Sequence, residues 1–255
     1  MKYTERRHHS HPSCELHMKN NLTTPYTCDG CNQTGFGLSF SCERCNYDLH
    51  QDCFSASSSM CHQFYKNSNF RFYDVPPDKL ERFCDACGGD IKGFSYHCHQ
   101  PGDSGLDLHP CCSKLPIQIE AEGVKLYLQK KLTSNCSWCG KKRLEKKFTG
   151  WSYVSTCDDI QFHVNCVMES LVKNCERSHF NCVNSPRIEF GGSSTLERSI
   201  VGNTERRMVT RTRMQDGFKK FWRIAKLVMG MIVSAIFGDP TYATVLLIES
   251  LVSSS

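Results

Sequence analysis

The chain has 255 residues, among them 18 Cys and 11 His, and carries a net charge of +5. Cysteine at this density belongs to one of two classes, a secreted disulfide framework or a metal protein. The charge is too mild to argue for any particular partner.

The opening residues, Met1-Lys-Tyr-Thr-Glu-Arg-Arg-His-His, are polar and charged and hold no apolar stretch of the kind a secretory signal needs. The expectation is therefore an intracellular protein of the cytoplasm and/or nucleus, not a secreted one. In a reducing compartment disulfides are rare and thiolates serve as metal ligands. All the cysteines fall between Cys14 and Cys182, in segments of about 50 residues, which bury too little apolar surface to fold unaided. A structural zinc supplies about 10–16 kcal/mol of apparent binding energy, and that energy becomes folding energy.

The first segment, residues 9–64, reads Cys28-x2-Cys31, Cys42-x2-Cys45, His50-x2-Cys53 and, seven residues on, Cys61. Each Cys-x2-Cys is a zinc knuckle, with two sulfurs on one tight turn. Tetrahedral zinc takes four such ligands, so this segment falls one short of two sites. The missing ligand is expected upstream: Cys14 is preferred, with His11 and His17 as rivals. If these were merely scattered buried thiols, several spacings would have to agree by accident.

Residues 65–118 repeat the logic with losses. Cys84-x2-Cys87 and His109-x2-Cys112 make one full set. Cys98, flanked by His97 and His99, stands where one member of a second pair should be; His62 or Cys111 would complete an irregular site with it, and otherwise these are satisfied or exposed residues. Residues 121–184 offer Cys136-x2-Cys139 with His163-x2-Cys166. Cys157 is the remnant of the other pair; with Cys175, His179 or Cys182 it forms at most a partial site, and spare or buried thiols are the simpler reading.

The pairs that start at Cys28, Cys84 and Cys136 mark an internal repeat of about fifty residues. Between ligands, Leu38-Ser-Phe-Ser and Gly93-Phe-Ser-Tyr-His alternate as strands do, with Gly35, Gly37, Gly88 and Gly89 expected at turns. Each His-x2-Cys is expected to open a short helix, as the apolar spacing from Val164 to Lys173 suggests. The fold expected is a tandem of small zinc-stabilised α+β fingers, each with short antiparallel strands and a short helix, followed by a C-terminal helical segment.

Residues 185–207 read as a Ser/Gly-containing linker. Residues 208–252 combine basic side chains with Phe218, Phe221, Trp222, Met229 and Ile232 at helical spacing. The apolar run from Leu227 to Phe237 is too short to span a bilayer. It is expected to pack on protein, either the fingers or a second chain, or to lie on an anionic membrane surface; nuclear entry or nucleic-acid binding is the lesser alternative.

Tyr26-Thr-Cys-Asp-Gly-Cys, Phe83-Cys-Asp-Ala-Cys-Gly and Asp107-Leu-His-Pro-Cys-Cys resemble the plant divergent, cysteine/histidine-rich relatives of the diacylglycerol/phorbol-ester-binding zinc finger, over roughly residues 9–184. The resemblance implies two zincs per complete finger in interleaved order. One would take Cys28, Cys31, His50 and Cys53; the other would take Cys14, at the family's histidine position, with Cys42, Cys45 and Cys61. The resemblance also implies a non-catalytic protein-interaction module of intracellular plant signalling. The ten residues between Cys31 and Cys42 look too short to open a lipid groove, though a membrane-surface lipid or effector binder stays an alternative. Cys136-Ser-Trp-Cys-Gly superficially suggests a redox dithiol, which keeps a thiol-disulfide oxidoreductase-like protein as the other alternative, but its Trp lies inside the pair and zinc partners are at hand. The ligand order does not read as a cross-braced ring, and no DNA-reading helix with paired histidines is evident.

Overall fold

The computed structural model describes residues 6–78, 80–99, 105–121, 124–144, 148–156 and 160–169. The expected linker at 185–207, the segment 208–252, and Cys157, Cys175, His179 and Cys182 lie outside the described residues.

Among the described residues, three antiparallel four-stranded meanders follow one another. The first comprises β1 (Arg6–His8), β2 (His11–Thr27), β3 (Thr34–Cys42) and β4 (Tyr47–His50), and closes with the one-turn helix α1 (Gln51–Phe54). The second comprises β5 (Ser59–His62), β6 (Tyr65–Tyr73), β7 (Ser95–Cys98) and β8 (Leu106–Leu108), and closes with α2 (Pro110–Ser113). The third comprises β9 (Gln118–Ala121), β10 (Val124–Gln129), β11 (Ser152–Ser155) and β12 (Gln161–His163), after which residues 164–169 are helical. The strand carrying Cys61 pairs with β6, Ser59 opposite Arg71 and Cys61 opposite Asn69, and so belongs to the second sheet.

The repeat holds residue by residue. Phe40 faces Leu49, Tyr96 faces Leu108 and Tyr153 faces Phe162 across the last two strands of each sheet. One step along, Ser39 and Ser152 lie opposite His50 and His163. Ser39, Ser95 and Ser152 are all fully buried, because a small side chain is what fits beside an inward-facing imidazole. Tyr96 and Tyr153 also tie down the chain entering their fingers: their hydroxyls donate to Ser57 O at 3.0 Å and to Pro116 O at 2.8 Å. In the first finger Phe40 has no hydroxyl and instead stacks on Phe54.

Each knuckle is a tight turn whose fifth residue has a left-handed backbone: Asn32 (φ 59°), Gly88 (φ 75°) and Gly140 (φ 69°). That conformation lets Asn32, Gly88 and Gly140 N–H donate back to Cys28, Cys84 and Cys136 O at 2.8, 2.7 and 2.9 Å. Asn and Gly are the residues that tolerate it. Gly35 and Gly37 are not at turns; both lie inside β3, opposite Tyr26 and Asn21. Gly35 is there for close approach, since a Cβ would come within 2.5 Å of His50 Nε2.

The fingers dock on one another by a rule used twice. Phe94 N–H donates to Gly30 O of the first knuckle at 2.8 Å, and Trp151 N–H donates to Ala86 O of the second knuckle, also at 2.8 Å. The two acceptors are each the second residue after the first cysteine of a knuckle. The aromatic that donates also packs on the first hairpin of the preceding finger: Phe94 against His8 and His9, Trp151 against His62 and Phe64. The core of the second and third fingers is one continuous cluster, and Phe94 joins the core of the first.

Docking this close leaves no room for a side chain at the contact. A Cβ on Gly93 would lie 2.0 Å from Gly30 O. Gly93→Ala is expected to lower the unfolding free energy of metal-loaded protein by about 1–3 kcal/mol, the usual cost of overpacking, without changing its metal content. Urea unfolding checks this, and an unchanged midpoint would mean that the fingers do not dock as described.

Candidate metal centres

Among the described residues, four groups of four Cys and His side chains converge, each with its ligand atoms within 4.8 Å of one another. Three repeat the same construction. Cys28, Cys31, His50 and Cys53 form the first, Cys84, Cys87, His109 and Cys112 the second, and Cys136, Cys139, His163 and Cys166 the third. In each, a knuckle brings two sulfurs, the end of a strand brings the imidazole, and one helical turn swings the last cysteine back beside it.

A backbone clamp holds knuckle and strand in place. Asp29 N–H donates to Asp48 O at 2.8 Å while the Asp29 carboxylate accepts from Asp48 N–H at 2.7 Å. Asp85 and Asp107 repeat both bonds at 2.8 and 2.7 Å. In the third finger Ser137 and Gln161 make the same pair, with the Ser137 hydroxyl accepting at 3.1 Å.

The sulfurs also receive backbone hydrogen bonds. His50 N–H points at Cys28 Sγ (3.4 Å), His109 N–H at Cys84 Sγ (3.5 Å) and Trp138 N–H at Cys136 Sγ (3.4 Å). Such donors favour the thiolate over the thiol.

The ligand spacing is that of a small tetrahedral ion. With bonds of about 2.3 Å to sulfur and 2.0 Å to nitrogen, tetrahedral edges come to about 3.5 Å for S···N and 3.8 Å for S···S. Nδ1 of His50 lies 3.3 Å from Cys31 Sγ and 3.8 Å from Cys53 Sγ. The corresponding edges are 3.5 and 3.9 Å at His109 and 3.6 Å to both Cys139 and Cys166 at His163. Nδ1 is thus the ligating nitrogen, and His109 Nε2–H donates to Asp90 O at 3.0 Å, which fixes the ring as second partners of metal-bound imidazoles do.

Crowded thiols ionise unevenly. The Cys166 and His163 side chains pull the Cys136 thiol down to about 3, while Cys136 in turn pushes Cys166 far up. Burial lowers the His50 imidazole, but the Cys28 and Cys111 sulfurs outweigh it and hold His50 at about 8. One thiolate in each pocket opposes the next, a conflict that a bound dication resolves. The donor set therefore fits a metal, and the three groups are almost entirely buried.

The fourth group is His11, Cys14, Cys42 and Cys45. Cys14 Sγ lies 3.6 Å from Cys45 Sγ. His11 first, with smaller help from Cys45 and Cys14, draws the Cys42 thiol down to about 7; Cys14 and then Cys42 push Cys45 up to about 11. Of the upstream candidates, His11 and Cys14 both enter the group, whereas His17 lines a neighbouring cleft. Cys61, expected from spacing to complete this site, is exposed on β5 and stands outside all four groups. The signal that identifies His11 is its spacing: His11-x2-Cys14 is a fourth x2 pair, ahead of the three that are evident at once. In the first finger the four pairs alternate between two centres, first with third and second with fourth, the interleaving that the family resemblance implies; with His11 counted the order is cross-braced, contrary to the reading from the three obvious pairs.

No equivalent of this fourth centre forms elsewhere among the described residues. By strand register His11 corresponds to Tyr65 and Cys14 to Ser68, and Ser155 takes the place of Cys42 in the third finger. Cys98 is buried in the core. His97 binds the Asp107 carboxylate at 3.0 Å, which also accepts from Arg82 at 2.8 Å. His62 stacks on Trp151, and Cys111 is buried on α2. An irregular site around Cys98 is thus not assembled, because each proposed partner is committed elsewhere.

Compared with known proteins, the chain matches no family model, no curated protein and no solved structure. Elemental analysis of purified protein is expected to give about four metals per chain, one for each group. His11→Ala and Cys45→Ser should each remove one, whereas Cys61→Ser and Cys98→Ser should leave the count unchanged. A metal lost with Cys61 would contradict the assignment.

Proposed function

We propose that the protein is a zinc-loaded, non-catalytic module for protein interaction, related to the divergent cysteine/histidine-rich fingers and acting in intracellular plant signalling. The observation that carries the reading is the threefold recurrence of a buried centre with three thiolates and one imidazole. Soft thiolates with imidazole in tetrahedral array select zinc among the abundant divalent ions. Four protein ligands per centre leave no position for a substrate or an activated water, which is the mark of a structural site. The interleaved pairs of the first finger support the family relation.

Cys136 and Cys139 belong to one of these centres, which speaks against the disulfide-oxidoreductase alternative: thiolates shared with a metal are poorer nucleophiles than free ones. No helix among the described residues is long and apolar enough to cross a membrane.

Two assays test the proposal. In insulin reduction the zinc-loaded chain is expected to match the buffer blank; turnover that disappears in Cys136→Ser would favour the redox alternative. In affinity capture from native tissue, a binding partner is expected to be retained by zinc-loaded protein and lost after chelation. A partner retained equally by metal-free chain would sink the idea that the metal-built fold presents the binding surface.

A further inference from the structure

The four centres differ in exposure. Three are enclosed, two by four buried ligands and the third by three buried and one half-buried. The fourth is open: Cys45 is exposed and Cys14 and His11 are half-buried. Cys45 sits in the turn between β3 and β4, beside Asn46 with its left-handed backbone (φ 51°). An open cleft of about 760 Å³ runs along Cys14 and Cys42, edged by Arg7, His17 and Arg44. A small solute can reach Cys45 Sγ directly and Cys14 Sγ at its edge, whereas no thiolate of the other centres is exposed and only Cys139 among them is half-buried.

We infer that the His11/Cys14/Cys42/Cys45 centre is a peroxide-responsive site, at which oxidation joins Cys14 to Cys45 and ejects the metal. This rests on the zinc-module reading above. The two sulfurs come from β2 and from the β3–β4 turn and are already 3.6 Å apart. Closing to a disulfide of about 2.05 Å needs a shift of about 1.5 Å, and an exposed turn can supply it.

The chemistry balances with a hydroperoxide as oxidant. The Cys45 thiolate attacks a peroxide oxygen, an S–O bond forms, the O–O bond breaks, and hydroxide leaves as water after taking a proton from solvent. Cys45 is then a sulfenic acid. The Cys14 thiolate attacks that sulfur, the S–S bond forms, and a second hydroxide leaves as water. Two thiolates lose two electrons in total, and the peroxide gains them. Of the four residues that would hold a metal here, only His11 and Cys42 then keep a donor atom free, too few to retain the ion, which would leave with its charge unchanged. The new disulfide spans the same two segments that the metal joined, so the first finger keeps its cross-link and its other centre.

The test uses full-length zinc-loaded protein with hydrogen peroxide added in small excess, a chromophoric zinc indicator, and non-reducing peptide mapping by mass spectrometry. One of four metals is expected to leave about tenfold or more faster than the rest, as thiolate exposure dictates. The mapped disulfide should join Cys14 to Cys45, and a thiol reductant with added zinc should restore the starting state. Release of all four metals at similar rates, a first disulfide elsewhere, or no release would each overturn the inference. Because the protein must first be shown to carry its metals, a chain that binds none would instead defeat the zinc-module reading, and the two failures are distinguishable.

Discussion

The convergence of a knuckle and a His-x2-Cys turn on one point, at the spacing of a metal's ligands, is the constraint on which the rest of this structure depends. The helices that carry the last ligand are a single turn in α1 and α2, far too short to form alone. The sheets have strands as short as three residues, and isolated hairpins of that size are marginal in water. What converts them into fingers is convergence of three sulfurs and a nitrogen that repel one another unless a cation sits between them. The Asp29–Asp48 clamp and its two counterparts then make the knuckle and the histidine strand a single rigid piece.

Given one such piece, the others can be added by repetition. The knuckle's internal bonds run to Cys28 O or Cys84 O and leave the carbonyl at Gly30 or Ala86 to the N–H of the next finger's Phe94 or Trp151. Small residues at Gly30, Gly93, Ala86 and Gly150 allow the backbones to meet. The corresponding knuckle position in the third finger is Trp138, a large side chain that is 38% exposed. A further finger could not dock there by the same rule.

The three buried centres were legible because their chemistry demands fixed local spacing: a knuckle and a His-x2-Cys turn each place two ligands by sequence alone. Strand positions such as Leu38–Ser41 and Ser95–His97 were legible from alternation. The fourth centre was legible only in part. Its ligands come from two hairpins; the His11-x2-Cys14 spacing offers His11, but that Cys61 is left out depends on β5 pairing forward with β6, a long-range choice. The roles of Gly35, His62, His97 and Cys98 were hidden for the same reason. Gly35 answers to His50 across a strand, His62 to Trp151 in another finger, and His97 to Asp107, none of which is a local relation. The comparisons offered no relative to supply those contacts.

The central claim is that ligation holds the sheets together. Amide hydrogen exchange read by mass spectrometry, on the same protein with and without a strong chelator, tests it most directly. Metal-loaded protein should protect the amides of β3, β4, β7, β8, β11 and β12, and removal of metal should abolish that protection in all three fingers, because folding and binding are one equilibrium. Protection that survives in the metal-free chain would show that the sheets fold on their own cores and that the metals are passengers.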